Sequence, residues 1–158
     1  MHGPSSTATS DTAVNVEQNQ DFRRIQADLC EYSRDGKLLV LASRDKGFVV
    51  LNSFDGSTVC EKDHPGIQAV AVSPCAKHIV TWERYDKTDT EGNLIVWAIP
   101  TGDIVSRFIQ KSYSKQFWPP VQWTDDEALC ARMTPNQVQL FNGQNLLGGP
   151  ISRISQQV

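Results

Sequence analysis

The residues best suited to chemistry lie in a short connecting segment in the second half of the chain. Arg107, Lys111 and Lys115 carry positive charge with no acid between them, and Tyr113 stands between the two lysines. Lysine and arginine bind phosphate groups, and aromatic rings stack on unpaired bases, so this combination is one way to hold RNA. The alternative interpretation is an ordinary solvated connector.

A second segment, residues 83–93, is long and polar and adds Arg84 and Lys87 to the candidate contact. Its acids could coordinate a cation, but they lack the D-x-D-x-D-G pattern and the downstream glutamate of a calcium loop. A flexible polar loop is therefore expected, with no metal site.

Charge and composition limit how the protein could use these residues. The chain has 158 residues, 39% of them hydrophobic and 21% charged, which is typical of one ordinary soluble domain. Its formal net charge of −3 excludes a general basic field, so any RNA contact must be local. The apolar runs are far too short to cross a membrane. Residues 1–21 lack the apolar core of a secretory signal, so we expect a disordered, Ser/Thr-rich tail on a cytoplasmic protein.

The sequence gives little support for catalysis, a cofactor or a metal. The glycines form neither a dinucleotide-binding fingerprint nor a phosphate-binding loop, and no G-x-S-x-G elbow occurs. The four cysteines show no C-x-x-C pairing and no histidine at metal-ligand spacing. We expect free thiols that are buried or half-buried, no enzyme activity and no small-molecule substrate.

A repeated pattern indicates the elements that position the candidate residues. An apolar alternation, a Ser/Thr turn and a second apolar run occur three times, at 30–40, 70–80 and 121–131. A third apolar run follows each copy, at 48–51, 94–97 and 138–141. Short runs rich in Val, Ile, Phe and Trp between Gly and Pro favour strands, and a period of about 40 to 45 residues is that of a four-stranded propeller blade. The predicted class is therefore all-β, with about three WD40-like blades; an antiparallel sandwich is the alternative.

The predicted boundaries follow from the repeat. Residues 22–158 form a partial β-propeller, with blades at about 27–62, 66–109 and 118–150 and the start of a further blade at 151–158. Fourth strands are expected at 57–60, 104–109 and 145–147. Closed propellers have about four to eight blades, so three would leave apolar blade faces bare, and the isolated chain could self-associate through them.

Blade topology then decides which loops are neighbours. A blade is an up-and-down meander, so the loop between its second and third strands lies at the same end as the connector to the next blade. The long segment 83–93 and the connector 110–117 should therefore share one face. Trp118 and Trp123 are expected on an inner strand as packing residues, and Trp82 and Trp97 are expected to pack as well.

One stretch resembles a known family. Phe108-Ile109-Gln110-Lys111, followed by Trp118-Pro119-Pro120-Val121-Gln122-Trp123-Thr124-Asp125-Asp126-Glu127-Ala128-Leu129-Cys130-Ala131-Arg132, is similar to eukaryotic translation initiation factor 2A, the single-chain factor. The resemblance implies a propeller that associates with the small ribosomal subunit, with its RNA and proteins. In the family it also implies GTP-independent binding of methionyl initiator tRNA, with tRNA and mRNA contacted by regions outside this sequence.

Three alternatives remain open from the sequence. The propeller subunit of translation initiation factor 3 has a similar blade pattern, and a generic protein-binding propeller outside translation would ignore RNA. A hydrolytic propeller would need carboxylates at the central channel, where the predicted inner strands offer only Asp28 and Glu31.

Overall fold

Three four-stranded antiparallel sheets make up the fold. The computed structural model describes Gly3 and residues 24–155. The tail predicted at 1–21 thus lies outside the described residues except for Gly3. Within the described part, each sheet is a meander of sequence neighbours, which confirms the prediction of all-β, WD40-like blades.

The strands are short, as the length of the apolar runs predicts. The first blade contains β1 (Leu29–Tyr32), β2 (Leu38–Ser43), β3 (Gly47–Asn52) and β4 (Thr58–Asp63). The second contains β5 (Ile67–Val72), β6 (His78–Glu83), β7 (Leu94–Ala98) and β8 (Ile104–Phe108). The third contains β9 (Val121–Trp123), β10 (Leu129–Met133), β11 (Gln137–Asn142) and β12 (Ser152–Ser155).

The repeated Ser/Thr turn has the same hydrogen bond in every blade. A hydroxyl oxygen of the turn accepts the amide that opens the second strand, at Ser33, Ser73 and Thr124. Three residues after each hydroxyl, the backbone has a positive φ, at Gly36, Ala76 and Glu127. Side-chain hydroxyls stabilise tight turns in this way, so the repeat seen in the sequence is also a repeat of backbone geometry.

The end of the third blade differs from the predicted strands. Residues 146–148 form a 3₁₀ turn rather than a fourth strand, with the Asn145 side chain accepting the Gly148 amide and Leu146 buried. The fourth strand is β12, which pairs antiparallel with β11. Residues 151–154 therefore complete the third blade, and the prediction that they open a further blade is wrong.

Two separate apolar cores hold the blades together. One lies between the first and second blades around Val50, Ile79 and Trp97, and the other lies between the second and third blades. Alternate residues of β6 and β7 face opposite ways, as the two-residue period of a strand requires, so the second blade contributes to both cores. The outer face of the third blade leaves Met133 49% and Ile154 59% exposed.

A polar cluster lies beside the second core. Glu127 is 0% exposed, and its Oε1 accepts the Cys75 amide at 2.7 Å. Its Oε2 lies 3.3 Å from Nδ1 of His78, and the His78 ring stacks on Trp123 with an interplanar angle of 7°. The turn of the third blade is thus tied to the turn and first residue of the paired strands in the second.

This cluster predicts a stability that falls on acidification. Burial lowers the pKa of His78 below its ordinary value, against the opposing effect of Glu127. As pH falls below about 6.5, the unfolded chain takes up the proton first, so the free energy of unfolding decreases until the folded imidazole also protonates, by at most about 1.4 kcal/mol per pH unit. Urea unfolding at several pH values between about 7.5 and 5.5 measures this. His78→Gln should flatten the dependence; a parent chain that gains stability over this window would contradict it.

Candidate functional site

The candidate residues lie at one end of the blades, which we call the connector end. It comprises the loops between the second and third strands of each blade and the connectors from one blade to the next. Backbone bonds join the two kinds of segment, as where the Gly66 amide donates to the Arg44 carbonyl at 2.7 Å. The long loop 84–93 and the connector 109–120 share this end, as predicted.

Asn93 fastens the long loop to the connector. It is 1% exposed, and its Oδ1 accepts the Gln110 amide at 2.8 Å. Its Nδ2 donates to the carbonyls of Glu83 and Gln110 at 2.7 and 2.9 Å. The side chain therefore satisfies backbone groups of both segments at one buried point, a role that its sequence position at the end of a polar loop did not reveal.

Gly92 permits the close approach that this junction needs. Its φ is +113°, and a Cβ there would stand 2.7 Å from the carbonyl carbon of Phe108. Only glycine fits both requirements without strain, so the long loop returns directly against β8.

The predicted cations fall into two groups. Arg107 is half-buried and its Nη1 lies 3.6 Å from Glu91, while Nζ of Lys111 lies 5.8 Å from the ring centre of Tyr85 in the long loop. Arg84 and Lys87 are exposed on either side of that tyrosine. Lys115 is exposed on a 3₁₀ turn, Lys115–Phe117, farther along the connector.

Tyr113, the sixth predicted residue, lies in a different environment. Its ring centre is 5.2 Å from that of Trp82 and 5.5 Å from that of Trp118. Together they line an open cavity of about 200 Å³, which we call the aromatic pocket. The remaining lining residues are Gln110, Ser112, Ser114, Phe117, Pro120, Met133, Thr134 and Pro135.

Trp118 is not on the inner strand as predicted. Because Pro119 and Pro120 have no amide hydrogen to contribute to a ladder, β9 begins only at Val121, and Trp118 precedes it. Its Nε1 donates to the Val70 carbonyl at 3.2 Å, which leaves the indole as part of the pocket wall. Trp123 does lie on the strand and packs, as predicted.

Trp82 and Trp97 both pack, but Trp82 also contributes to the site. Each is at least nine-tenths buried. Nε1 of Trp82 donates to the Gln110 carbonyl at 3.0 Å, and the ring forms part of the pocket wall. The pairing of Trp82 with the connector had no signal in the sequence, because it spans 28 residues.

The acids of the long loop shape its backbone. The carboxylate of Asp86 accepts the amide and hydroxyl of Thr88, and these bonds hold the pKa of Asp86 below its ordinary value. Asp89 accepts the amide of Glu91. In the part of the chain that the structure describes, no group of three or more His, Cys, Asp or Glu side chains could hold a metal ion.

The remaining candidate groups are placed as follows. A carboxylate oxygen of Asp28 accepts the Arg44 amide at 2.8 Å, and Glu31 is exposed on β1. Burial raises the pKa of the Cys130 thiol to about 12, so this thiol remains protonated. Cys60 is half-buried, as expected, but Cys30 and Cys75 are exposed, which corrects the prediction for those two. None of the helical segments in the described residues is long and apolar enough to span a membrane.

Comparison with curated proteins identifies translation factors. The chain is 35% identical to eukaryotic translation initiation factor 2A of Dictyostelium discoideum over 129 residues, or 81% of this chain and 20% of that protein. It is 32% identical to the factor 2A of Schizosaccharomyces pombe over 78% of the chain. One component of eukaryotic translation initiation factor 3, its B polypeptide from Eremothecium gossypii, is 27% identical over 58% of the chain. The chain thus spans about a fifth of the factor 2A proteins it matches. No protein-family model matches the sequence.

Comparison with solved structures agrees with the sequence matches. A structure described as that of the eukaryotic initiation factor superposes with a TM-score of 0.76 at 28% identity, over 87% of this chain and 34% of that one. The WD40 domain of Sif2, at 17% identity and a TM-score of 0.53, shows the fold alone. The three blades are those of a translation initiation factor propeller.

Proposed function

The chain is a relative of eukaryotic translation initiation factor 2A, and we propose that it associates with the small ribosomal subunit through its connector end. The observation that carries the proposal is the similarity over about four-fifths of the chain at 35% identity. The longer factor would act in the cytoplasm and bring methionyl initiator tRNA to the subunit without GTP. Its contacts with tRNA and mRNA would lie outside the residues matched here.

The form of the contact follows from the architecture. Propeller blades with two packed cores give a stiff support, and the connector end presents exposed Arg84, Lys87, Lys111 and Lys115 on loops that Asn93 holds together. Loops on a rigid scaffold are where binding residues are usually found. Cations on such loops would contact ribosomal RNA phosphates, and no chemical step is required of this portion.

Charge reversal at the connector should weaken this association. Lys111→Glu/Lys115→Glu replaces two phosphate contacts by repulsion, so cosedimentation of the chain with purified small ribosomal subunits should fall by at least about tenfold in affinity and lose part of its salt dependence. The measurement is a sedimentation titration at several salt concentrations, with circular dichroism as the check on folding.

A matched control is available at the opposite end of the blades. Lys37→Glu/Lys77→Glu makes the same charge change on two exposed turn residues, and it should bind like the parent chain after the change in net charge is allowed for. Equal losses for both variants would refute the connector end as the contact. A folded parent chain that does not sediment would favour the generic protein-binding propeller, while the match to the factor 3 component covers less of the chain and gives that alternative less support.

A further inference from the structure

The aromatic pocket has a lining unlike the rest of the connector end. None of its lining residues is charged. Three of the apolar ones are largely exposed: Tyr113 by 43%, Phe117 by 55% and Met133 by 49%. An exposed apolar concavity of this kind marks a binding site. At about 200 Å³, it is smaller than the ~300–1,000 Å³ usual for small molecules and has room for one ring system.

The walls of the pocket are fixed before any ligand arrives. The indole N–H groups of Trp82 and Trp118 donate to the backbone carbonyls of Gln110 and Val70. Tyr113 is packed between the two indole rings. A ligand therefore meets rings that are already oriented, which reduces the entropy cost of binding.

Charge around the pocket has one sign. The segments that line most of it, residues 110–120 and 132–138, contain Lys111, Lys115 and Arg132 and no acid, although the chain as a whole has a net charge of −3. Arg132 is turned inward, with its guanidinium donating to the Ile109 carbonyl at 2.8 Å. The two exposed lysines stand two residues before and two after Tyr113.

We propose that the aromatic pocket binds one unstacked base of a single-stranded RNA segment, with Lys111 and Lys115 contacting the phosphates on either side of that nucleotide. An uncharged ring pocket between two cations is complementary to a nucleotide within a strand, which has a flat ring and an anionic phosphate on each side. Arg84 and Lys87 belong to the long loop with its acids and are not part of this site. The proposal rests on the proposed function, because ribosomal RNA is the source of the single strand.

The test uses the 158-residue chain and two short RNA probes, hexauridylate and hexaadenylate. Stacking beside Trp82 and Trp118 should quench tryptophan fluorescence in a saturable manner. Tyr113→Ala should raise the dissociation constant by about 5- to 150-fold, the range for loss of one aromatic–base stack. Tyr113→Phe, which keeps the ring, should bind like the parent chain.

Two further variants keep the test decisive. Lys115→Glu changes an exposed side chain, so it should leave the fold intact while weakening binding and reducing the salt slope by about one. Phe54→Ala removes an aromatic ring that is 98% exposed in the turn between β3 and β4, at the opposite end of the blade, and should bind RNA like the parent chain.

Each outcome decides between the proposals. Absence of saturable quenching up to about 1 mM, above the range of weak nonspecific RNA binding, would overturn the base pocket, as would equal losses in Tyr113→Ala and Phe54→Ala. Quenching by an acidic hexapeptide with a central Leu-Phe, but not by RNA, would assign the pocket to a protein partner instead. Tyr113→Ala that still sediments with ribosomal subunits while losing the oligonucleotides would support the base pocket and leave the subunit contact intact. A parent chain that binds oligonucleotides but not subunits would refute the proposed function alone.

Discussion

Replacing Glu127 by alanine should lower the free energy of unfolding by about 3 kcal/mol. The side chain is fully buried, and its Oε1 accepts the Cys75 amide at 2.7 Å. A hydrogen bond to a charged group contributes about 1.5–3 kcal/mol, and the truncation also leaves a cavity beside His78 and Trp123. Alanine retains a Cβ at the positive φ of this position, so the backbone contribution should stay the same.

Urea unfolding of parent and variant measures this loss. Glu127→Gln keeps an oxygen acceptor in the same place and should cost less than the alanine variant. Asp125→Ala is a neighbouring control, because its carboxylate is 87% exposed and pairs only with the exposed Arg34 side chain among the ion pairs of the described residues. Surface pairs contribute about 0–1 kcal/mol, so an alanine loss at Glu127 no larger than that at Asp125 would contradict our view of the cluster.

Trp97→Ala should be the other large loss, about 3–5 kcal/mol, because it removes the largest side chain of the first core. Trp97 is 4% exposed, and its ring meets Phe48 of the first blade edge-on at 5.2 Å between centres. Its Nε1 donates to Oγ1 of Thr81 at 2.8 Å, within the second blade. One side chain thus packs between two blades and bonds two strands.

A double-mutant cycle separates the hydrogen bond from the packing. Trp97→Phe keeps an aromatic ring but removes the donor, Thr81→Val removes the acceptor, and urea unfolding of both singles and the double gives the coupling. We expect about 1 kcal/mol for the bond and the remaining loss in Trp97→Ala for burial. An alanine variant that loses less than about 1 kcal/mol would mean that the first core closes around the missing ring.

The blades were predictable because the repeat is local chemistry. The Ser/Thr turn binds the amide of the next strand a few residues away, so its period survives in the sequence. The fourth strand of the third blade was missed because Asn142-Gly143 resembles the turn dipeptides of the other blades. Gly56 and Gly102 have the positive φ of a tight turn. Gly143 instead lies against the Glu127 carbonyl, where a Cβ would overlap it.

The site was predictable only in part, for a related reason. The shared end of the long loop and connector follows from strand direction alone, so it could be deduced. The aromatic pocket depends on contacts between segments far apart in sequence, such as Trp118 with Val70. Glu127 looks like a surface acid in its run of three acids, and only the packing of the third blade against the second buries it.

Asn93 has a consequence for how such a face could diversify. Its bonds hold the end of the long loop and the start of the connector to each other and to β6, whatever residues stand at 84–91. That stretch is in effect a replaceable cassette, whose length and composition can drift between homologues while Glu83, Asn93 and Gln110 keep the neighbouring aromatic walls in place. Partner preference and blade architecture are thereby free to evolve separately.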